Sequence, residues 1–500
     1  MTDAGPRREE DRQAPPCVLV VYGASGDLTQ RKLVPALEAL AADGRLSNAF
    51  AVVGVARTPM SDDDFRARIR EAVPDACAAW DDLVAGFRYV SGSYTGAETF
   101  ERLGRVLDEL DESVGTGGNR VHYLATVPDA FAGVASALGR HGLAAPRDDA
   151  SFVRLVVEKP FGRDLASADD LDAAIHAVFR EDQVYRIDHY LGKETVLNVL
   201  ALRFANAIFE PIWNRRYVDH VQITVAESLG VGHRGGFYET AGALRDIVQN
   251  HVLQVLALTL MEAPVSMDAE GIRDEKVKAL RAVDLLAPDD VSVDVVRGRY
   301  ERGTVAGEEV PGYLEEKGVD PDSRTETFVA MRLRIDNWRW AGVPFYIRTG
   351  KRLPKRVTEV AMEFRGVPHL PFGPSEAVGL GPNTLILRIQ PDEGITLCFG
   401  AKVPGQAFRV RSVSMDFSYE AAFREAPPDA YERLLLDAMV GDPTLFIRAD
   451  EVEQAWRVVQ PVLDAWQDHG EPPAGYPAGS WGPQEADLLL ERDGRRWRNP

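Results

Sequence analysis

The run Arg186-Ile187-Asp188-His189-Tyr190-Leu191-Gly192-Lys193-Glu194 places a carboxylate, an imidazole, a phenol and an ammonium next to one another. Cations and hydrogen-bond donors at such spacing suit an anion. On a helical turn His189 and Lys193 lie four apart and face the same side. A polar surface turn is the alternative. A second run, Arg245-Asp246-Ile247-Val248-Gln249-Asn250-His251, leads into the apolar Val252, Leu253, Val255 and Leu256. An imidazole titrates near neutrality and can move a proton there. A histidine on an apolar helix can equally be a satisfied core residue.

A third constellation follows the first strand-like run. Gly23-Ala24-Ser25-Gly26-Asp27-Leu28, then Arg31-Lys32-Leu33, puts two glycines where a strand opens into a helix. Backbone N–H groups and a helix N-terminus at such a turn suit a nucleotide pyrophosphate. The strict G-x-G-x-x-G pattern is not met, because Ser25 and Leu28 hold its middle and last positions. An ordinary tight turn remains the other reading. At the end of the second strand stands Arg57, where an NAD-preferring site usually carries an acid. A guanidinium there suits the 2′-phosphate of NADP.

Three more segments complete the set: Glu158-Lys159-Pro160-Phe161-Gly162, Arg234-Gly235-Gly236-Phe237-Tyr238-Glu239, and Arg348-Thr349-Gly350-Lys351-Arg352-Leu353. Together with the Asp188–Lys193, Arg245–His251 and Gly23–Leu33 runs, and with the motifs falling in the family's order from about Val18 to Trp466, the chain closely resembles the glucose-6-phosphate dehydrogenases. The resemblance implies oxidation of β-D-glucose 6-phosphate at C1 to the 6-phospho-lactone, with hydride transfer to NADP and no metal. It implies His251 as general base and Asp188 as the carboxylate that holds its tautomer. It assigns the substrate phosphate to His189, Tyr190 and Lys193. Glu227, Asp246, Lys351 and Arg356 match sugar-binding positions, and Lys159 matches a lysine that the family uses to contact both cofactor and substrate. Gly23, Ser25, Gly26, Asp27, Leu28, Arg57 and Tyr123 fall on cofactor positions. Thr126-Val127 stands where many members have Leu-Pro, and His233 precedes Arg234 where Gly is frequent. Assembly as a homodimer or homotetramer through the second domain is also implied. Some eukaryotic members hold a second, structural NADP. The corresponding segment here, Arg388-Ile389-Gln390-Pro391, is followed by Thr396 and Cys398, so one NADP per chain is expected.

These residues need elements to hold them. Strand-like runs at Val18–Tyr22, Phe50–Val55, Val121–Ala125 and Phe152–Val157 alternate with helical patterns at Leu28–Ala42 and Leu165–Phe179. Alternation of this kind predicts a parallel, doubly wound Rossmann-type α/β domain. Beyond about Tyr185, helical patterns at Lys193–Ala207 and Ala241–Leu260 precede strand-like runs. These are Val218–Ala226, Val291–Tyr300, Thr327–Ile335, Pro344–Arg348, Thr358–Phe364, Thr384–Gln390 and Ile395–Ala401. Runs of strands with short connections predict a larger α+β domain with a mostly antiparallel sheet. Helices are expected near Pro427–Met439 and Asp450–Trp466. The expected organisation is a disordered tail over 1–16, an NADP-binding domain over 17–187, and a substrate-binding and oligomerisation domain over 188–500. The Gly-, Pro- and Arg-rich stretch from about Glu471 is expected to be loosely ordered.

Composition narrows the classes. The chain has 500 residues, 45% hydrophobic and 27% charged, which is globular-enzyme composition. A net charge of −20 disfavours nucleic acid and anionic membranes as partners. Val252–Met261 is too short to span a bilayer. The three cysteines, Cys17, Cys77 and Cys398, form no metal or redox motif and fit a reducing cytoplasm. Two alternatives stand beside the main reading. One is another Rossmann-type sugar dehydrogenase, since Glu-Lys-Pro after a strand is shared more widely. The other is a non-catalytic ligand-binding homologue.

Overall fold

The computed structural model describes residues 12–373, 376–405, 408–423 and 429–500. The chain divides into two compact units. The first comprises 1–193, 266–273 and 428–453, and the second 194–265, 274–427 and 454–500.

The first unit is built on six parallel strands: β1 (Cys17–Tyr22), β2 (Phe50–Ala56), β3 (Arg88–Ser91), β4 (Arg120–Leu124), β5 (Val153–Val157) and β6 (Val184–Ile187). Their spatial order is β6-β5-β4-β1-β2-β3, and a short strand, Phe446–Ile447, adds antiparallel to β6. This is the doubly wound order whose direction reverses between β1 and β4, the usual crevice for a nucleotide. β1, β2 and β4 are buried throughout, and β1 and β2 accordingly read as continuous apolar runs, whereas β4 buries Arg120 and His122 as well. β3 and β6, four residues each, are too short to leave such a run.

Of the tail expected over 1–16, residues 1–11 lie outside the described residues. Residues 12–16 are anchored: Ala14 is buried, its N–H bonds Arg45 O at 2.8 Å, and Arg12 pairs with Asp437 at 3.0 Å.

The second unit carries a nine-stranded sheet. Its order is Val410–Ser418, Gly394–Lys402, Thr384–Gln390, Val357–Phe364, Val218–Ala226, Phe345–Gly350, Phe328–Leu333, Val295–Glu301 and Ala474–Pro477. All pairings are antiparallel except Val218–Ala226 with Phe345–Gly350 and Val295–Glu301 with Ala474–Pro477. Helix Leu253–Leu260 is buried on every side. Its last carbonyls accept from the indoles of Trp213, at Thr259, and Trp340, at Leu260.

Three expectations need correction. The strand expected over Val291–Tyr300 begins only at Val295, because Pro288 with Asp289 and Asp290 starts a helix, Pro288–Asp294. The stretch after Glu471 is ordered: Ala474–Pro477 joins the sheet, Gln484–Glu491 is helical, and the buried Trp497 donates to Ala486 O at 2.8 Å. The helix expected over Ala241–Leu260 is three pieces, Gly235–Ala243, a π-helix Leu244–Val252, and Leu253–Leu260.

Candidate functional site

In the first unit, the turn after β1 is shaped by close approach. Gly23 has φ +96°, and a Cβ there would lie 2.3 Å from Ala125 O, beyond β4. Only glycine fits. The Gly23 N–H donates to Val55 O at 2.8 Å, and Gly26 N–H to Gly23 O at 2.8 Å. The Thr29 hydroxyl closes the turn on Gly23 O at 3.2 Å. Gly23 and Gly26 thus carry no side chain at the switch point, which leaves room for the close backbone approach that a pyrophosphate requires. The helix expected from Leu28 opens as a π turn, Thr29–Leu33, before Val34–Ala42. Ser25 and Gly26 are half-buried and Asp27 is exposed.

Arg57 follows β2 and is exposed, its guanidinium 6.0 Å from the Tyr94 ring. Thr58 lies 3.5 Å from the Ser25 hydroxyl. A second guanidinium escaped the sequence reading. Arg68, on helix Asp62–Ala72, donates to Ser25 O at 2.9 Å. It stands one helix away from the turn it touches, so no local motif announces it. These residues fit a dinucleotide with a phosphorylated ribose.

Tyr123 is buried on β4, and its hydroxyl donates to Glu158 at 2.6 Å. Lys159 follows Glu158 and precedes the cis Pro160. The Asp188–Lys193 segment is not helical; the helix begins at Glu194. Asp188 Oδ1 instead accepts the Tyr190 N–H at 2.9 Å, and Lys193 N–H donates to Tyr190 O at 3.2 Å. The expected one-faced helical turn is therefore a pair of tight turns. They still gather the groups: the His189 and Tyr190 rings are 5.2 Å apart, and the Lys193 ammonium sits 4.0 Å from the Tyr190 ring.

In the second unit, Glu227 ends strand Val218–Ala226 and Lys351 ends its parallel neighbour, Phe345–Gly350. Lys351 donates to the Glu227 carboxylate at 2.6 Å, and its ammonium lies 5.0 Å from the Tyr238 ring. The Tyr476 hydroxyl fixes the Lys351 backbone from its carbonyl, at 2.6 Å. The Tyr238 phenol is pushed well above its ordinary range, by burial first and then by the charges of Asp246, Glu326 and Glu227. Arg356 is exposed and donates to the Gln390 side chain at 3.1 Å.

Asp246 and His251 share the π-helix Leu244–Val252. In an α-helix, residues five apart diverge by about 140° around the axis. A π turn, bonded from i to i+5, brings such residues to nearly the same side. The wide turn thus puts Asp246 and the buried His251 on related faces. Its start is set by Gly242, at φ +64°, where a Cβ would lie 2.4 Å from the Glu326 carboxylate. Glu326 then accepts the Leu244 N–H at 2.9 Å. Neither Tyr238 nor Glu326 was singled out from sequence for a role here. Glu326 carries no motif, and its capping contact is 82 residues away in the chain.

Residues 20–198 match the family described as "Glucose-6-phosphate dehydrogenase, NAD binding domain", and residues 200–498 match "Glucose-6-phosphate dehydrogenase, C-terminal domain". The chain belongs to the glucose-6-phosphate dehydrogenase family. It is 50% identical to glucose-6-phosphate 1-dehydrogenase 2 of Mycobacterium tuberculosis strain H37Rv, over 99% of this chain and 97% of that one. It is 49% identical to the glucose-6-phosphate 1-dehydrogenase of Aggregatibacter actinomycetemcomitans, over 97% of each. A solved glucose-6-phosphate dehydrogenase in complex with its substrate glucose 6-phosphate superimposes with a TM-score of 0.88 at 35% identity, covering 98% of this chain and 99% of that one. The crystal structure of the Mycobacterium avium enzyme gives 0.81 at 39% identity, over 97% and 99%. For a glucose-6-phosphate dehydrogenase family member, the Rossmann-like first half and the mostly antiparallel sheet of the second are the expected fold.

Proposed function

We infer that this protein oxidises β-D-glucose 6-phosphate at C1 to 6-phospho-D-glucono-1,5-lactone, using NADP, the first step of the oxidative pentose phosphate pathway. The observation that carries this reading is 50% identity, over 99% of the chain, to a glucose-6-phosphate 1-dehydrogenase. Bound NADP supplies the hydride acceptor. Gly23, Ser25, Gly26, Asp27 and Leu28 hold it, Arg57 takes its 2′-phosphate, and the wholly buried Tyr123 acts on the site only through Glu158.

The chain's own residues do the rest. His251 accepts the proton of the C1 hydroxyl, and Asp188 holds the imidazole tautomer and stabilises the imidazolium. His189, Tyr190 and Lys193 bind the substrate phosphate by charge-assisted bonds. Glu227, Asp246, Lys351 and Arg356 bind the sugar, and Lys159 contacts sugar and cofactor. Residues 17–187 form the NADP domain, and residues 188–500 bind the sugar and assemble the oligomer.

Assembly as a homodimer or homotetramer is supported by exposed apolar side chains on strand Val410–Ser418, Met415 and Phe417. Cys17, Cys77 and Cys398 are all free thiols, which suits a reducing cytoplasm. Among the described residues, no helix is long and apolar enough to cross a membrane.

Mixing the protein with NADP and glucose 6-phosphate, and following NADPH absorbance, tests the reading. Parallel assays with unphosphorylated glucose separate it from another sugar dehydrogenase. No NADPH with either sugar would leave only a ligand-binding homologue.

A further inference from the structure

Glu158, immediately after β5, is an acid with 8% of its surface exposed. Its carboxylate accepts hydrogen bonds from two phenols, Tyr123 at 2.6 Å and Tyr431. Burial raises its pKa, opposed by both phenols and by the charge of Lys159. Tyr431 comes from far along the chain, at the start of helix Ala430–Val440, where Asp429 accepts its N–H at 2.9 Å. The Tyr431 ring lies nearly parallel to that of His189, with centroids 6.4 Å apart and planes at 13°. All of these residues belong to the first unit.

A buried carboxylate adds little net stability over an apolar side chain of similar size. Two phenolic donors converging on one such group define an orientation more than they add strength. The orientation reaches the imidazole of His189 through the flat face of Tyr431, and the ammonium of Lys159 through the adjoining peptide.

We propose that Glu158 and Tyr431 are positioning residues for the substrate phosphate: the carboxylate fixes the Tyr431 phenol, and the Tyr431 ring fixes the His189 imidazole in its phosphate-binding orientation. This rests on the reading of His189, Tyr190 and Lys193 as the phosphate-binding turn. Tyr431→Phe keeps the ring and removes its tether. Glu158→Gln keeps the shape and removes the charge that both phenols share.

The decisive quantity is the ratio of kcat/KM for glucose 6-phosphate to kcat/KM for glucose. Any loss of correctly folded enzyme cancels in it. Tyr431→Phe should lower that ratio roughly 10-fold, the scale of one mispositioned or lost charge-assisted contact. Glu158→Gln should shift it in the same direction. Calorimetry of glucose 6-phosphate binding without NADP should show a matching weakening. A ratio and a binding constant within twofold of the parent's in both variants would overturn the proposal, as would parallel losses for both sugars. The parent is assayed first. Absence of NADPH formation there sinks the functional reading itself, whereas an active parent with unaltered variants sinks only the positioning role.

Discussion

The Lys351 ammonium donates a 2.6 Å hydrogen bond to the Glu227 carboxylate, tying the ends of two adjacent parallel strands. Glu227 is the more exposed of the two, at 37% against 13% for the side chains. The pair therefore offers a carboxylate oriented by its neighbour to a ligand with hydroxyl groups. Lys351→Ala should lower kcat/KM for glucose 6-phosphate roughly 10–150-fold, on the scale of about 1.5–3 kcal/mol for a hydrogen bond to a charged group. Lys351→Arg should recover only part, because a planar fork does not replace a point charge. Steady-state kinetics on both variants check this. Parent-like Lys351→Ala would remove the lysine from the substrate's contacts.

His251→Asn should keep glucose 6-phosphate binding while lowering kcat by roughly 10²–10⁴-fold, the usual worth of a positioned general base. The measurement is kcat at saturating substrate together with calorimetric binding. A variant retaining more than about a tenth of the parent kcat is incompatible with His251 as the base.

Arg57→Ala should raise KM for NADP far more than KM for NAD. Only NADP carries the phosphate that would lose its guanidinium. Arg68, which touches the backbone of Ser25 at 2.9 Å, is the contrasting case. Its bond to the turn should make Arg68→Ala weaken both cofactors together. Equal effects of Arg57→Ala on the two cofactors would reduce Arg57 to a surface charge.

How much of this was legible depended on burial and locality. Strands with unbroken apolar runs, such as Val18–Tyr22 within β1, declare themselves because both faces are covered. Strand Val410–Ser418 did not, since much of it is exposed and it reads Val-Arg-Ser-Val-Ser-Met-Asp-Phe-Ser. The motif residues were found because their spacing is local. The π turns of Thr29–Leu33 and Leu244–Val252 share their residue preferences with α-helices, so periodicity cannot announce them. Tyr431 and Glu326 act through contacts between residues far apart in sequence, which no window along the chain contains.

The segment near the C-terminus makes a pH-dependent contact. Arg495 holds Asp219 at 2.7 Å and 3.1 Å, and His220 donates to the same carboxylate at 2.9 Å. Asp219 is lowered to about 2, chiefly by the Arg495 hydrogen bond, then by that of His220. A depressed carboxylate contributes fully above its ordinary pKa of about 3.9 and loses that contribution as pH falls towards the folded value. The melting temperature of Asp219→Asn should therefore lie below the parent's above about pH 5, and the gap should narrow below about pH 4. Thermal melts across this range check it. A gap that stays constant through the acid limb would show that the lost contribution is not the charge on Asp219.

One NADP per chain is the expected stoichiometry. Arg388, the cation that a second site would need, already donates to Phe417 O at 3.1 Å and lies 3.7 Å from Asp416. Thr396 gives its hydroxyl to the same Asp416 at 2.6 Å. Cys398 lies two residues further along strand Gly394–Lys402 and cannot supply an ammonium. A carboxylate facing Arg388 opposes a second polyanion there, and the chain's net charge of −20 adds to that opposition. Asp416→Asn should therefore raise affinity for a second equivalent. Equilibrium dialysis with labelled NADP, without substrate, reads both numbers. Two tight equivalents on the parent chain would contradict this account of the Arg388 segment.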